Sequence, residues 1–193
     1  MAVNEYTEQE KRDRSKKMML WFGIISMVMT FAGLTSAYVV SSNRPDWVSG
    51  FELPEVFGIS TIVIVISSIT LFVAKKYLKA DNRKMTSLFL FFTFLLGSAF
   101  IGLQLNGFET LVEEGYYFTG PTSTINSSYI YVLVLAHLVH LAAGIIVLTV
   151  IIYNHFRKRY KPNKMLGFTI GSSFWHFVDV LWLFLFMFLS FYK

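Results

Sequence analysis

Residues 129–153 read YIYVLVLAHLVHLAAGIIVLTVIIY, and this stretch decides the fold class. It contains no Asp, Glu, Lys or Arg. A helix needs about 20 mostly apolar residues to cross the hydrocarbon core of a bilayer, which is roughly 30 Å thick. The stretch therefore predicts a transmembrane helix that carries His137 and His140 inside the membrane.

Four further stretches have the same character, and none shows the alternation of apolar and polar residues that a strand would need. Hydrophobic residues make up 54% of the chain and charged residues only 15%. Soluble domains carry about 25% charged residues. We therefore predict an all-α integral membrane bundle of five transmembrane helices, rather than a soluble bundle with buried helices. The predicted spans are Met18–Val40, Val56–Ala74, Met85–Leu105, Tyr129–Tyr153 and Gly167–Phe191.

The basic residues predict the orientation of the helices. Fifteen of the seventeen Lys and Arg residues lie in three clusters, at 11–17, 75–84 and 157–164, which fall on one side of five alternating spans. By the positive-inside rule, the N-terminus is cytoplasmic and the C-terminus is outside. Residues 1–17 then form a cytoplasmic tail, and residues 18–193 form the membrane domain.

The same clusters account for the net charge of +5. They flank spans and form no groove-binding motif, so we expect no nucleic-acid partner. A cleaved signal peptide ending near Thr35-Ser36-Ala37 is the alternative for the first span. Signal-peptide cores run about 7–15 residues, which is shorter than this span, so we expect a retained helix.

Four ionisable residues lie deep in the last two spans: His137, His140, His176 and Asp179. His137 and His140 are three residues apart, and so are His176 and Asp179, which puts the members of each pair on one helix face. An Asp at the membrane centre costs about 2.5–3.5 kcal/mol and needs a partner, so we expect a hydrogen bond between His140 and Asp179. Gly144 would let the two helices approach closely there. Small residues mark similar contact faces elsewhere: Gly33 with Ala37, and Ser98 with Gly102.

The favoured interpretation of these four residues is a structural polar cluster that holds two helices together. Three functional alternatives stay open: ligation of one haem by histidines on two helices, relay of protons, and a metal site of two histidines and a carboxylate. A relay would need polar groups that reach both surfaces, and three-residue spacings also arise in ordinary helix packing. The chain has no Cys, which excludes disulfides and thiolate ligands.

The fifth span contains the run FWHFVDVLWLFLF at residues 174–186. This run resembles the last helix of cytochrome c oxidase subunit III, with Trp175, Phe177 and Trp182 at signature positions. Composition alone would not produce this order of aromatic, His and Asp residues.

The resemblance extends over all five spans and corresponds to the short bacterial form of the family. In the fourth span, His137, His140 and Gly144 fit the family pattern His-x-x-His-x-x-x-Gly, although Leu138 stands where glycine is usual. Gln104 in the third span also fits the family pattern.

Two positions depart from the family. Many members carry a glutamate directly after a serine of the first shared helix, where this chain has Met27. A second common glutamate is replaced by Gly107. No role of those carboxylates carries over to this chain, so the resemblance supports a proton relay less well here than in relatives.

The resemblance implies an accessory subunit that supports the stability and proton uptake of catalytic subunit I and has no catalytic residue and no cofactor of its own. Haems and copper are expected in partner subunits, with catalytic subunit I in direct contact, subunit II in the same complex, and a larger respiratory supercomplex as a further implied assembly. Phospholipid is an expected ligand, and the bacterial cell membrane the expected location. The alternatives are subunit III of a quinol oxidase, a small membrane haem protein and a transporter.

Overall fold

The computed structural model describes residues 7–44, 47, 53–120, 123–160 and 165–191. Within these ranges the chain forms five α-helices and no strand. Each helix is long enough to cross a bilayer, with a mean hydropathy of 1.8 to 2.5 over its most apolar segment. The predicted all-α architecture of five spans is confirmed. The helices are α1 (Glu8–Ser41), α2 (Glu55–Lys79), α3 (Arg83–Glu113), α4 (Ile125–Phe156) and α5 (Leu166–Phe191).

Helix α1 begins well before the apolar segment that predicts it. The Thr7 side chain accepts a hydrogen bond from the Glu10 N–H, and the Glu10 carboxylate accepts one from the Thr7 N–H at 2.9 Å. This capping box satisfies two backbone donors at the start of the helix. Most of the predicted cytoplasmic tail, residues 8–17, is therefore an exposed continuation of α1.

The buried residues of α2–α5 recur at alternating spacings of three and four. This seven-residue repeat winds helices around one another in a left-handed supercoil. Along α2 the seam alternates large and small side chains, which lets the antiparallel helix α3 approach closely. The seam of α2 is Phe57, Ser60, Ile64, Ser67, Leu71, Ala74 and Leu78, and that of α3 is Thr86, Leu90, Thr93, Gly97, Phe100, Gln104, Gly107 and Leu111.

Four of the helices close into a ring. Helix α2 packs against α3 and α5, and α4 packs against the same two helices. Helix α1 lies outside the ring, against α4 and α5. Most of α1 is therefore exposed, including the apolar side chains of Met19, Phe22 and Met29. Such a surface suits contact with lipid or with another membrane chain.

Helices α2, α3 and α4 end alike, each followed by a residue with positive φ. These residues are Asp81 (55°), Gly115 (87°) and Lys158 (54°). At α4 the Arg159 N–H donates to the Asn154 carbonyl oxygen at 3.0 Å, the outer bond of a Schellman motif. Two of the three caps thus use a side-chain-bearing residue where glycine carries no steric cost.

We call the end of the bundle at which α1 begins and α2 and α4 end the basic end. Tyr160 closes it, with its ring edge-on to Phe168 at 5.9 Å between centroids. The Tyr160 carbonyl oxygen accepts a hydrogen bond from Arg83 Nη2 at 3.5 Å, which ties the α4–α5 connection to the start of α3. Burial raises the pKa of the Tyr160 phenol above its ordinary value, so the group stays neutral.

Replacing Lys158 by Gly should stabilise the protein by about 0.5–1 kcal/mol, because glycine adopts positive φ without the strain that a Cβ imposes. The measurement is the midpoint of thermal unfolding in detergent. Lys158→Ala is the matched control, since it removes the charge but keeps the Cβ, and it should bring no gain. Equal effects of the two changes would contradict this interpretation of the cap.

Candidate functional site

The indole ring of Trp175 fills a notch at the centre of the bundle, where it is 1% exposed. A Cβ on Gly97 of α3 would lie 2.7 Å from Trp175 Cη2, and one on Gly144 of α4 would lie 3.3 Å from Trp175 Cε3. Because neither glycine has a side chain, both leave room for the Trp175 indole ring. The sequence predicts that Gly144 brings two backbones together, whereas in the structure it admits an aromatic side chain.

His137 lies fully buried between aromatic rings. Its ring centroid is 5.0 Å from that of Trp182 and 6.0 Å from that of Phe100. Neither ring nitrogen has a hydrogen-bond partner within the described part of the chain. His137 is thus held by packing in the ring of helices.

His140 faces α1 instead of α5. Its Nδ1 bonds the carbonyl oxygen of Ala136 at 2.7 Å, and its ring meets Phe31 edge-on at 5.6 Å. The predicted hydrogen bond between His140 and Asp179 is therefore wrong. A three-residue step turns the side chain about 60° around a helix, which carries His140 off the seam that His137 occupies.

His176 and Asp179 of α5 meet α2. His176 Nδ1 and Ser68 Oγ lie 2.6 Å apart. Asp179 is 2% exposed and lies beside the same serine. Its two carboxyl oxygens accept no hydrogen bond from the described residues. Ser68 belongs to the polar pair Ser67-Ser68 in the second predicted span, but nothing in the sequence indicates that it meets His176 and Asp179.

The four residues of the predicted polar cluster therefore occupy three separate environments. His137 is packed among aromatic rings inside the ring of helices, and His140 lies against α1. His176 and Asp179 lie against α2. Within the described ranges no group of three His, Asp or Glu side chains is placed to hold a metal ion.

Two of the signature residues are anchored on hydroxyl groups of α2. Gln104 Nε2 donates to Ser60 Oγ at 2.9 Å, and Trp182 Nε1 donates to Thr61 Oγ1 at the same distance. Ser60 and Thr61 in turn donate to the Phe57 carbonyl oxygen. The hydroxyl groups of α2 therefore accept hydrogen bonds from side chains of both α3 and α5.

The two positions that lack the common glutamates are buried. A Cβ on Gly107 would lie 2.8 Å from Phe57 Cζ, so the Phe57 ring fills the space that a longer side chain would need. Phe57 also packs on Trp182, with 6.1 Å between ring centroids. Met27 is 9% exposed, on the inner face of α1. An apolar side chain thus fills the space at each position.

Two of the predicted contact faces do not form within the chain. Nothing among the described residues lies within 4 Å of a Cβ on Gly33 or on Gly102, and both glycines face outward. The pairs Gly33 with Ala37 and Ser98 with Gly102 therefore do not mark contacts between helices of this chain.

A groove runs along the seam between α1 and α5. Its half at the basic end has a volume of about 500 Å³ and includes Lys17 and His176. Its other half has a volume of about 470 Å³ and a mostly apolar lining that also includes Thr35 and Ser36. The signature residue Phe177 lines both halves.

The fold and the site define a class: a polytopic α-helical membrane protein whose interior polar side chains pack and hydrogen-bond between helices. The family model for cytochrome c oxidase subunit III matches residues 14–193. The chain belongs to this family.

Named relatives agree with that assignment. Cytochrome c oxidase subunit 3 of Bacillus sp. PS3 is 33% identical over 90% of this chain and 84% of its own length. Cytochrome bo(3) ubiquinol oxidase subunit 3 of Pseudomonas aeruginosa is 29% identical over 84% of this chain and 78% of its own. Cytochrome c oxidase subunit 3 of Papio hamadryas is 31% identical over 96% of this chain and 74% of its own.

Membership of the family, together with five spans, makes the chain a multi-pass membrane protein and a component of a haem-copper oxidase complex that has other subunits. The predicted resemblance, including the subunit type, is confirmed.

Replacing Gly97 by Ala should destabilise the chain by about 1–3 kcal/mol, because the added methyl group collides with the Trp175 ring in a packed core. Gly102→Ala is the control on the same helix. It meets nothing within 4 Å and should stabilise α3 by up to about 1 kcal/mol through helix propensity. Thermal unfolding of both variants in one detergent tests the Trp175 seat, and equal effects would contradict it.

Proposed function

We propose that this chain supports the haem-copper catalytic subunit of a respiratory oxidase and binds no haem or copper itself. The observation that carries the proposal is the use of its interior histidines. His137 is packed among rings, His140 bonds its own helix, and His176 bonds Ser68. The absence of Cys from the chain removes the thiolate ligands that a copper site would use.

The proposed orientation places the basic end in the cytoplasm of a bacterial cell. Fifteen of the seventeen Lys and Arg residues lie in the clusters at that end, and basic clusters next to spans are retained on the cytoplasmic side. The bacterial relatives named above support location in the bacterial cell membrane. Basic side chains at this surface would also attract anionic headgroups toward the oxidase.

Catalytic subunit I is the proposed direct partner, with subunit II and other oxidase subunits in the same complex. Support comes from the amount of apolar surface that the chain leaves exposed along its whole height, including Trp21 and Phe22 on α1. A support subunit needs such a surface to pack against a larger membrane chain. A larger respiratory supercomplex is compatible with the same surface.

Phospholipid is the proposed ligand of the groove between α1 and α5. The groove offers an apolar lining for acyl chains, and Lys17 lies at its basic end, where a phosphate group would sit. Opposite charge and apolar burial together are the ordinary basis of lipid binding.

A quinol oxidase is the second candidate assembly, because relatives named for quinol and for cytochrome c oxidases match over similar shares of the chain. Purification of the intact complex through a tag on this chain separates the two. A co-purified subunit II with a copper site or a cytochrome c domain indicates cytochrome c as donor, and one without either indicates quinol. Recovery of the chain with no haem-copper subunit would contradict the proposed function.

Removing this chain from the complex should leave the haem absorbance of the catalytic subunit unchanged but should shorten its working life. The reason is that the haem ligands lie in another subunit, whereas the packing that keeps that subunit intact is lost. Oxygen consumption followed to exhaustion, with and without the chain, gives the number of turnovers before inactivation. Loss of haem absorbance at the outset would refute a purely supporting role.

Replacing Asp179 by Asn should leave assembly and proton pumping at the level of the unmodified complex. Asn keeps the shape of Asp and can hydrogen-bond Ser68, so the packing persists. Asp179→Leu is the contrasting variant: it removes the carboxyl group that lies beside Ser68 and should lower the yield of complex. The proton-to-electron ratio in vesicles is the measurement, and abolished pumping in a normally assembled Asn variant would rule out the supporting role of Asp179.

A further inference from the structure

The basic-end half of the groove between α1 and α5 carries an unusual line of polar side chains. Thr169, Ser173 and His176 follow each other at spacings of four and three on the strongly apolar helix α5, and all three line the groove. Spacings of three and four keep side chains on one face of a helix. The line therefore leads from the basic end toward the middle of the membrane.

The line continues behind the groove wall. His176 Nδ1 lies 2.6 Å from Ser68 Oγ, and Ser68 lies beside the buried carboxyl of Asp179. Asp179 is 2% exposed, and neither of its oxygens is hydrogen-bonded by the described residues. An ionisable group in this position needs polar neighbours, and Ser68 and His176 supply a polar route from Asp179 toward the basic end.

Toward the opposite end the interior is closed by rings. Trp182 lies one turn beyond Asp179 and contacts His137, Phe100 and Phe57, with centroid separations of 5.0, 5.3 and 6.1 Å. Each of these four side chains is at most 1% exposed. We call this group the aromatic plug. In that half, the groove itself is lined on α5 by apolar residues alone.

We propose that Asp179 exchanges protons with the aqueous phase at the basic end only, through Ser68, His176 and a hydrated line along Ser173 and Thr169. A proton delivered to Nε2 of His176 releases the proton on Nδ1 to Ser68. The Ser68 hydroxyl then rotates toward Asp179 and gives its own proton to a carboxylate oxygen. The reverse sequence returns it. Because the aromatic plug ends the route, the path stores a proton without carrying one across the membrane.

The charged and titratable groups around this path come from four elements. Lys17 of α1 lines the groove, Lys75 of α2 lies near His176, and α4 contributes His137 and His140. On α5 the only other titratable group along the path is His176. The buried face of α3 contributes Gln104 and no titratable group. The two lysines lie on the basic-end side, where the path opens.

Cysteine accessibility in the assembled complex tests the proposal, and the chain offers a clean background because it has no Cys. Ser68→Cys reports on the path between His176 and Asp179. Ser60→Cys, fully buried two turns away on the same helix, is the buried control. Ser15→Cys, on the exposed start of α1, reports labelling from the basic end.

The reagent is a small, charged, membrane-impermeant methanethiosulfonate applied to either face of reconstituted vesicles, with modification of this chain read by mass. We expect the cysteine at 68 to be modified only from the face that modifies the cysteine at 15, and the one at 60 from neither face. Adding His176→Phe should abolish modification at 68. No modification at 68, or modification from the other face, would overturn the proposal.

If Ser68→Cys does not assemble, His176→Cys, where the path meets the groove, is labelled in the same way. We expect it to be modified only from the face that modifies the cysteine at 15. The side is defined by the cysteine at 15, so the result does not depend on the proposed orientation in the cell. Failure of the chain to co-purify with a haem-copper subunit would contradict the proposed function without touching the labelling pattern.

Discussion

The seating of Trp175 between Gly97 and Gly144 is the contact on which the rest of the structure depends. The Trp175 ring on α5 reaches α3 on the far side of the bundle. It can do so only because the two glycines have no side chains that would occupy its place. Dispersion contacts of a large buried ring hold three helices in one arrangement. Helix α2 then completes the ring through hydroxyl groups, which receive the polar atoms of Gln104 and Trp182.

Much of the fold could be predicted from the sequence, because span length and hydropathy are local properties. The start of α1 could not be predicted from hydropathy, because residues 8–17 are polar. They are helical because Thr7 and Glu10 form a capping box. The order of the helices around the ring could not be predicted, because it depends on which seams fit. Only side-chain shape decides that α1 stays outside, against α4 and α5.

The candidate site shows the same division. Position along a span follows directly from the sequence, and His140 and Asp179 lie within α4 and α5 as the predicted spans require. The direction in which a side chain leaves its helix does not follow from its position along the span. In the structure, His140 lies against Phe31 and Asp179 lies beside Ser68. The filling of the space at Gly107 by Phe57 was equally hidden, because the partner lies on another helix. Packing, not the ionisable residues alone, determines what those residues can do.

In the proposed support subunit, histidines serve as packing and hydrogen-bonding groups, so that redox chemistry is left to partner chains. The visible absorption spectrum of the chain purified apart from its partners tests this claim most directly. The expected spectrum shows protein absorbance with no stoichiometric haem band in either the oxidised or the reduced state. One bis-histidine haem per chain, lost on replacement of His137 or His176, would contradict it.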